Sequence, residues 1–192
     1  ACIPFLVDTV GFMRNKPIVV HATQATLDTL REHLFNWHLW PDITKIPNCS
    51  SPYMRYETFS VGSVINLNER KIIPIPANHV VPTVGFQLDS GQGSLVFTAD
   101  TTTNYAFWSI INKIENLRFL IIESAFCNQK RDIAGRSKHL CPSLLEEELK
   151  NLERDAEIFI SHLKPGEADI TMHEIQQSIA KFNPRRLENG QL

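Results

Sequence analysis

The 192-residue sequence contains no apolar run approaching the ~20 residues that a bilayer span needs, so a polytopic membrane protein is excluded. It has no excess of either charge: 19 Lys+Arg stand against 21 Asp+Glu, a net of -2, which argues against a partner read through a phosphate backbone. No Cys-x-x-Cys pair and no metal-type cysteine spacing occur among Cys2, Cys49, Cys127 and Cys141. Free thiols in a reducing compartment follow, with a cytoplasmic location as the expectation. The apolar opening Ala1–Val7 lacks a basic stretch before it and is stopped by Asp8, so it does not read as a signal peptide. It also lacks a Met, a cap or a turn before it, and the expectation is a fragment of a longer polypeptide. Neither internal repeats nor low-complexity segments occur. What is present is ordinary globular usage, 43% apolar and 21% charged, enough for one domain over residues 1–192 that buries roughly 70% of its unfolded surface.

Pattern supplies the elements. Pro17–Val20 reads as a buried strand, and Leu27, Leu30 and Leu34 stripe a helix over Thr23–Asn36. The proline- and tryptophan-bearing stretch Trp37–Pro52 reads as an irregular connection. Short strands follow at Tyr56–Val61, Val64–Leu67, Lys71–Pro76 and Val80–Leu88, then a hairpin turn at Asp89–Ser94 and a strand at Leu95–Thr98. Thr103–Asn116 is predicted helical, Arg118–Ile122 a fully buried strand, Phe126–His139 a polar loop, Pro142–Leu152 a helix and Ala156–Ile160 a strand. Thr171 and Glu174 form a capping-box pattern before an apolar face of Met172, Ile175, Ile179 and Phe182. The order predicts a mixed α/β protein with helices packed on a sheet.

Three polar residues stand at or just past apolar strands: His79, Asp100 and His162. Strand ends gather side chains from separate parts of the chain on a rigid frame. Two imidazoles and a carboxylate suit Zn²⁺, Mn²⁺ or Fe²⁺. Each residue alone also has an ordinary structural explanation, such as helix capping by Asp100.

The local words sharpen this reading. Asn78-His79-Val80-Val81-Pro82-Thr83-Val84-Gly85-Phe86 precedes Phe97-Thr98-Ala99-Asp100-Thr101; Ile122-Glu123-Ser124, Ser137-Lys138-His139 and Ser161-His162-Leu163-Lys164-Pro165 follow in order. The series, from about Ile72 to Lys164, resembles the metallo-β-lactamase superfamily, in the branch holding class II cyclic-nucleotide phosphodiesterases and tRNA 3′-processing endonucleases. The resemblance implies an αββα four-layer sandwich and two divalent metal ions, Zn²⁺ first, with Mn²⁺ or Fe²⁺ as alternatives. It implies that His79 and His162 are terminal metal ligands and that Asp100 bridges the metals. His139 matches the residue that stabilises the phosphoryl group and protonates the leaving oxygen, and Glu123 would orient a ligand histidine.

The leading His-x-His-x-Asp-His motif of that superfamily is absent, and Ala1–Val7 looks like the helix that follows it. The expected activity is hydrolysis of a cyclic nucleotide such as cyclic AMP. The rivals are a tRNA-processing nuclease, another hydrolase of the same fold, and a non-catalytic scaffold lacking half of the metal site. Self-association of the chain is expected, from the sheet edge that a missing N-terminal part would leave open. Three further features carry weaker readings: a stacking wall of Phe35, Trp37 and Trp40 near His38, a phosphate-attracting run of Lys130, Arg131, Arg136 and Lys138, and phosphate contacts from Asn128 and Ser137.

Overall fold

A computed structural model describes residues 2–190, so Ala1 lies outside the described residues. The chain separates into two compact units, Ala1–Ser60 and Val61–Leu192.

The first unit opens with α1 (Ile3–Val10), where Pro4 sits in the first turn, a position that lacks an intrahelical partner for its missing N–H anyway. Two parallel strands, β1 (Ile18–Ala22) and β2 (Met54–Thr58), pair from Ile18↔Met54 to Ala22↔Thr58. Between them runs α2 (Gln24–His33), capped by Thr23, whose Oγ1 accepts from the Thr26 N–H. The small core joins Val7, Phe35 and Met54, with Trp40 and Tyr56 packed against it.

The second unit is built on a seven-stranded sheet. Its first four strands, β3 (Ile65–Leu67), β4 (Arg70–Pro76), β5 (Val84–Asp89) and β6 (Ser94–Phe97), form an antiparallel meander. From β6 onward the pairing is parallel, through β7 (Leu117–Glu123), β8 (Glu157–Ser161) and the short β9 (Arg185–Arg186). Parallel strands need crossovers, and helices supply them: α3 (Tyr105–Ile111) between β6 and β7, then α4 (Arg131–Ser137) and α5 (Pro142–Leu149) between β7 and β8, then α6 (Ala168–Ser178) before β9. Alternation along β7 and β8 sends Leu120, Ile122, Ile158 and Ile160 into one core with Ile111, Leu145, Leu149 and Ile175. Side chains this buried contribute about 1.5–3 kcal/mol each relative to exposure. Glu148 on α5 is drawn into this layer because it accepts from the Trp108 Nε1–H at 2.7 Å and the Asn104 N–H at 3.0 Å.

One glycine is sterically required. A Cβ on Gly85 would stand 2.6 Å from the carbonyl oxygen of Phe97, so only glycine lets β5 and β6 close up at the end that leads to Asp100.

Three expectations are corrected. The segment Phe126–His139 is not a plain loop: a 3₁₀ turn at Asn128–Lys130 runs into α4. This helix buries only Ala134, so it shows no apolar stripe in the sequence. The last helix begins at Ala168, and Thr171 lies inside it, fully buried, while Glu174 accepts from the Asn128 N–H at 2.8 Å and serves no capping box. The strand expected over Val80–Leu88 starts only at Val84, because Pro82 offers no N–H to a ladder and Val80 and Val81 face solvent. No helix among the described residues is long and apolar enough to cross a membrane.

Candidate metal centre

One end of the second unit's sheet collects the candidate residues. His79 follows β4, Asp100 follows β6, Glu123 closes β7 and His162 follows β8; His139 enters from the end of α4. The loops that carry them are tied together by the backbone. Asn78 donates its N–H to Thr101 Oγ1 at 2.9 Å and its side-chain amide to the Thr103 carbonyl at 2.9 Å, while the Thr102 N–H returns to the Asn78 carbonyl at 2.9 Å. The Ser124 N–H donates to the Ser161 carbonyl at 3.1 Å, locking the end of β7 to that of β8.

The side chains converge. His79 Nε2 lies 4.0 Å from Asp100 Oδ2, and His162 Nδ1 lies 3.8 Å from Asp100 Oδ1. The His79 and His139 rings are 4.8 Å apart, and His139 stacks on His162 at 5.0 Å. One ligand atom from each of His79, Asp100 and His139 falls within 4.8 Å of the others, the spacing of a group able to hold a metal ion. The geometry thus places His79, Asp100 and His162 together, and brings His139, expected to transfer a proton, within ligand distance of His79 and Asp100 as well.

Glu123 is the hub. Its Oε1 is 2.7 Å from His139 Nδ1 and accepts from the Thr101 N–H at 2.8 Å, and its Oε2 accepts from the Leu140 N–H at 3.2 Å. The carboxyl has no solvent exposure. Burial pushes its pKa up to about 7, against the pull of the Thr101 and Leu140 N–H groups and of His162. Burial also lowers the His139 pKa, with Asp100 pulling the other way. The contact to Glu123 engages Nδ1 and leaves Nε2 as the imidazole nitrogen open to a ligand or substrate. His79 is fixed in a similar way: its Nδ1 is 3.0 Å from the carbonyl oxygen of Lys138, an acceptor only, so Nδ1 carries the proton and Nε2 faces Asp100.

Backbone conformation marks the same place. Ala99, Lys138 and His162 all have positive φ, at 54°, 53° and 61°. A left-handed residue reverses the chain sharply and is uncommon outside glycine, asparagine and aspartate. Here it turns each loop so that Asp100, His139 and His162 point into one volume.

The compact donor group of His79, Asp100 and His139, two imidazoles and one carboxylate, suits a borderline divalent cation, and His162 stands outside it beside Asp100. A second ion sharing Asp100 would find few further donors among these residues.

Other expectations fare differently. Asn128 does not face a ligand: its Oδ1 accepts from the Ser143 N–H at 2.8 Å and caps α5. Ser137 Oγ donates to the Ile133 carbonyl at 2.7 Å inside α4. Lys130 pairs with Glu167 and Arg131 with Glu147, so half of the basic run is neutralised locally. Phe35 and Trp40 belong to the first unit's core, while Trp37 is exposed. The Lys138 carbonyl escaped sequence reading entirely, since every residue carries one and only the φ angle aims it.

No family model and no curated protein sequence matches the chain. Solved structures do. Unliganded yeast PDE1 superposes with a TM-score of 0.79 at 17% identity, over 96% of this chain and 63% of that one. The metallo-beta-lactamase fold protein YhfI from Bacillus subtilis gives 0.71 at 15%, over 96% and 70%. The short form of human tRNase Z gives 0.60 at 12%, over 85% and 67%. The chain thus spans less than two thirds of the yeast protein's length, and it has the metallo-β-lactamase fold anticipated from the order of its motifs.

Proposed function

We propose that this chain carries part or all of the active site of a metal-dependent phosphodiesterase acting on a cyclic nucleotide of the 3′,5′-cyclic AMP type. The observation that carries the reading is the convergence of His79, Asp100, His139 and His162 on one volume, with Glu123 buried behind His139. The likeness in fold to yeast PDE1 supports it.

His79 Nε2, Asp100 and His162 Nδ1 would hold the divalent metal, Zn²⁺ before Mn²⁺ or Fe²⁺. A divalent cation there supplies Lewis acidity toward the phosphoryl oxygen and a hydrolytic water of lowered pKa. The chain's own residues do the rest. Asp100 and the two histidines set the position of the phosphoryl group. His139 donates a proton from Nε2 to the departing ribose oxygen, and Glu123 holds the opposite nitrogen, Nδ1, so the imidazole cannot rotate away. Burying this pair together keeps a proton at hand near neutral pH without leaving an unpaired charge in the core.

The test is hydrolysis of cyclic AMP against bis-p-nitrophenyl phosphate by the Zn²⁺- and Mn²⁺-loaded protein, with Asp100→Asn as control. Turnover of the cyclic nucleotide that Asp100→Asn abolishes is the expected result. Tight metal binding with no hydrolysis of either diester overturns the reading. The modest donor count favours a second reading, a non-catalytic scaffold that retains the fold; that outcome would support it.

A further inference from the structure

Lys138 stands out once the molecule is searched beyond its candidate ligands. It follows the last residue of α4 in the left-handed region, φ 53° and ψ 52°, where a lysine has no intrinsic reason to be. Its N–H closes the helix on the Gly135 carbonyl at 3.3 Å, and the next N–H, that of His139, reaches back to Ala134 at 2.9 Å. The left-handed turn takes the Lys138 carbonyl out of the helix direction, and it arrives 3.0 Å from His79 Nδ1, 59 residues away in sequence. The contact is returned: Lys138 Nζ lies 3.4 Å from the main-chain carbonyl of His79 and donates to it. One residue therefore grips His79 at both its ring and its backbone, while its neighbour contributes the His139 imidazole to the same cluster.

We infer that Lys138 is a positioning residue: its left-handed carbonyl fixes His79 as the Nδ1–H tautomer and aims Nε2 at the metal position beside Asp100. The inference rests on the proposed metal-site reading only for its purpose; the tautomer itself is a property of the metal-free chain. A carbonyl accepts and never donates, so a neutral His79 held by it has its lone pair on Nε2. Without the carbonyl the ring has no partner on Nδ1, and either nitrogen can carry the proton. Supporting hydrogen bonds of this kind typically change metal affinity about 10–100-fold when lost.

The geometry also dictates which substitutions matter. Glycine adopts the left-handed region freely, so Lys138→Gly keeps the carbonyl in place and removes only the ammonium. Valine is strongly disfavoured there, so Lys138→Val swings the carbonyl away. A residue valued only for its charge would instead show both variants equally impaired.

The experiment is a long-range ¹H–¹⁵N correlation of the metal-free protein, labelled at histidine nitrogens and held at alkaline pH where the rings are neutral. His79 is expected with Nδ1 protonated and Nε2 bare. The opposite tautomer in the unsubstituted protein overturns the inference without any variant. Lys138→Gly is expected to keep the tautomer and to bind Zn²⁺ within about threefold of the parent, well short of the 10–100-fold of a lost supporting bond. Lys138→Val is expected to give mixed tautomers and about 10–100-fold weaker Zn²⁺ binding by calorimetry. An unchanged tautomer and affinity in Lys138→Val also overturns it. Should that variant fail to fold, Lys138→Asn, which tolerates the left-handed region, replaces it: a tautomer lost in Lys138→Asn or Lys138→Gly overturns the inference. The expected tautomer in a chain that binds no Zn²⁺ leaves the positioning standing and removes the metal-site reading instead.

Discussion

Each unit of the chain contains three or more histidines, and they have opposite fates. In the first unit His21, His33 and His38 lie on the surface, the first two facing single glutamates at 3.5 and 3.8 Å. In the second, His79, His139 and His162 stack around one aspartate, and only His173, exposed on α6, stays apart. The residue type is the same; the frame differs. A two-stranded parallel pair offers one short edge, whereas β6, β7 and β8 run parallel side by side and deliver successive loops to one end. A histidine becomes chemically interesting where several loop ends are forced to meet and the meeting point is partly sealed from water.

This contrast can be broken or sharpened by substitution. The largest effect is expected from Asp100→Asn, which keeps shape and removes the charge shared by His79 and His162: Zn²⁺ affinity falls by more than the roughly 10–100-fold that a supporting contact is worth, as read by calorimetry. Glu123→Gln comes next. It keeps an acceptor for one of the Thr101 and Leu140 N–H groups but confronts the other donors with an amide, so unfolding free energy drops by about 1–3 kcal/mol in urea titration. Ala99→Gly works in the opposite direction. It relieves the left-handed strain ahead of Asp100, raising stability by about 0.5–1 kcal/mol after the added freedom of the unfolded chain is subtracted. The smallest change belongs to the first unit: His21→Ala and His33→Ala stay within about 0.5 kcal/mol of the parent and leave Zn²⁺ binding untouched. Loss of metal binding in either would erase the distinction between the two sets.

Much of the second unit was legible before its structure. The run Arg118–Ile122 is read correctly as a strand, but not as a fully buried one: Leu120 and Ile122 are buried, Phe119 and Ile121 are only half-buried and Arg118 is exposed. An apolar run does not tell which face a strand buries, and Glu123 ends that run. The expectation that His79, Asp100 and His162 belong together rests on the order of short words, since no periodicity links positions as far apart as His79 and His162. What escaped has physical reasons. Helix α4 buries only Ala134 and leaves its one large apolar residue, Ile133, exposed, so pattern cannot see it. Thr171 and Glu174 mimic a cap, but the buried face of Met172 and Ile175 extends the helix back past them to Ala168. The Lys138 carbonyl and the left-handed turns at Ala99 and His162 are backbone events, invisible in side-chain identity. The division at Ser60 also lies in a stretch whose composition does not change abruptly.

The parallel arrangement of β6, β7 and β8 has a consequence in time. Asp100 and His162 are 62 residues apart, 162 less 100, and each crossover must be finished before the next strand can dock. At a translation rate of about 5–20 residues per second, several seconds separate the appearance of the aspartate from that of its last histidine. Of the four clustered residues, a cation meeting the nascent chain early finds His79 and Asp100, on loops that β7 and β8 have not yet fixed. Metal capture should therefore follow synthesis, and nascent chains arrested before β8 should bind Zn²⁺ far more weakly than the released protein.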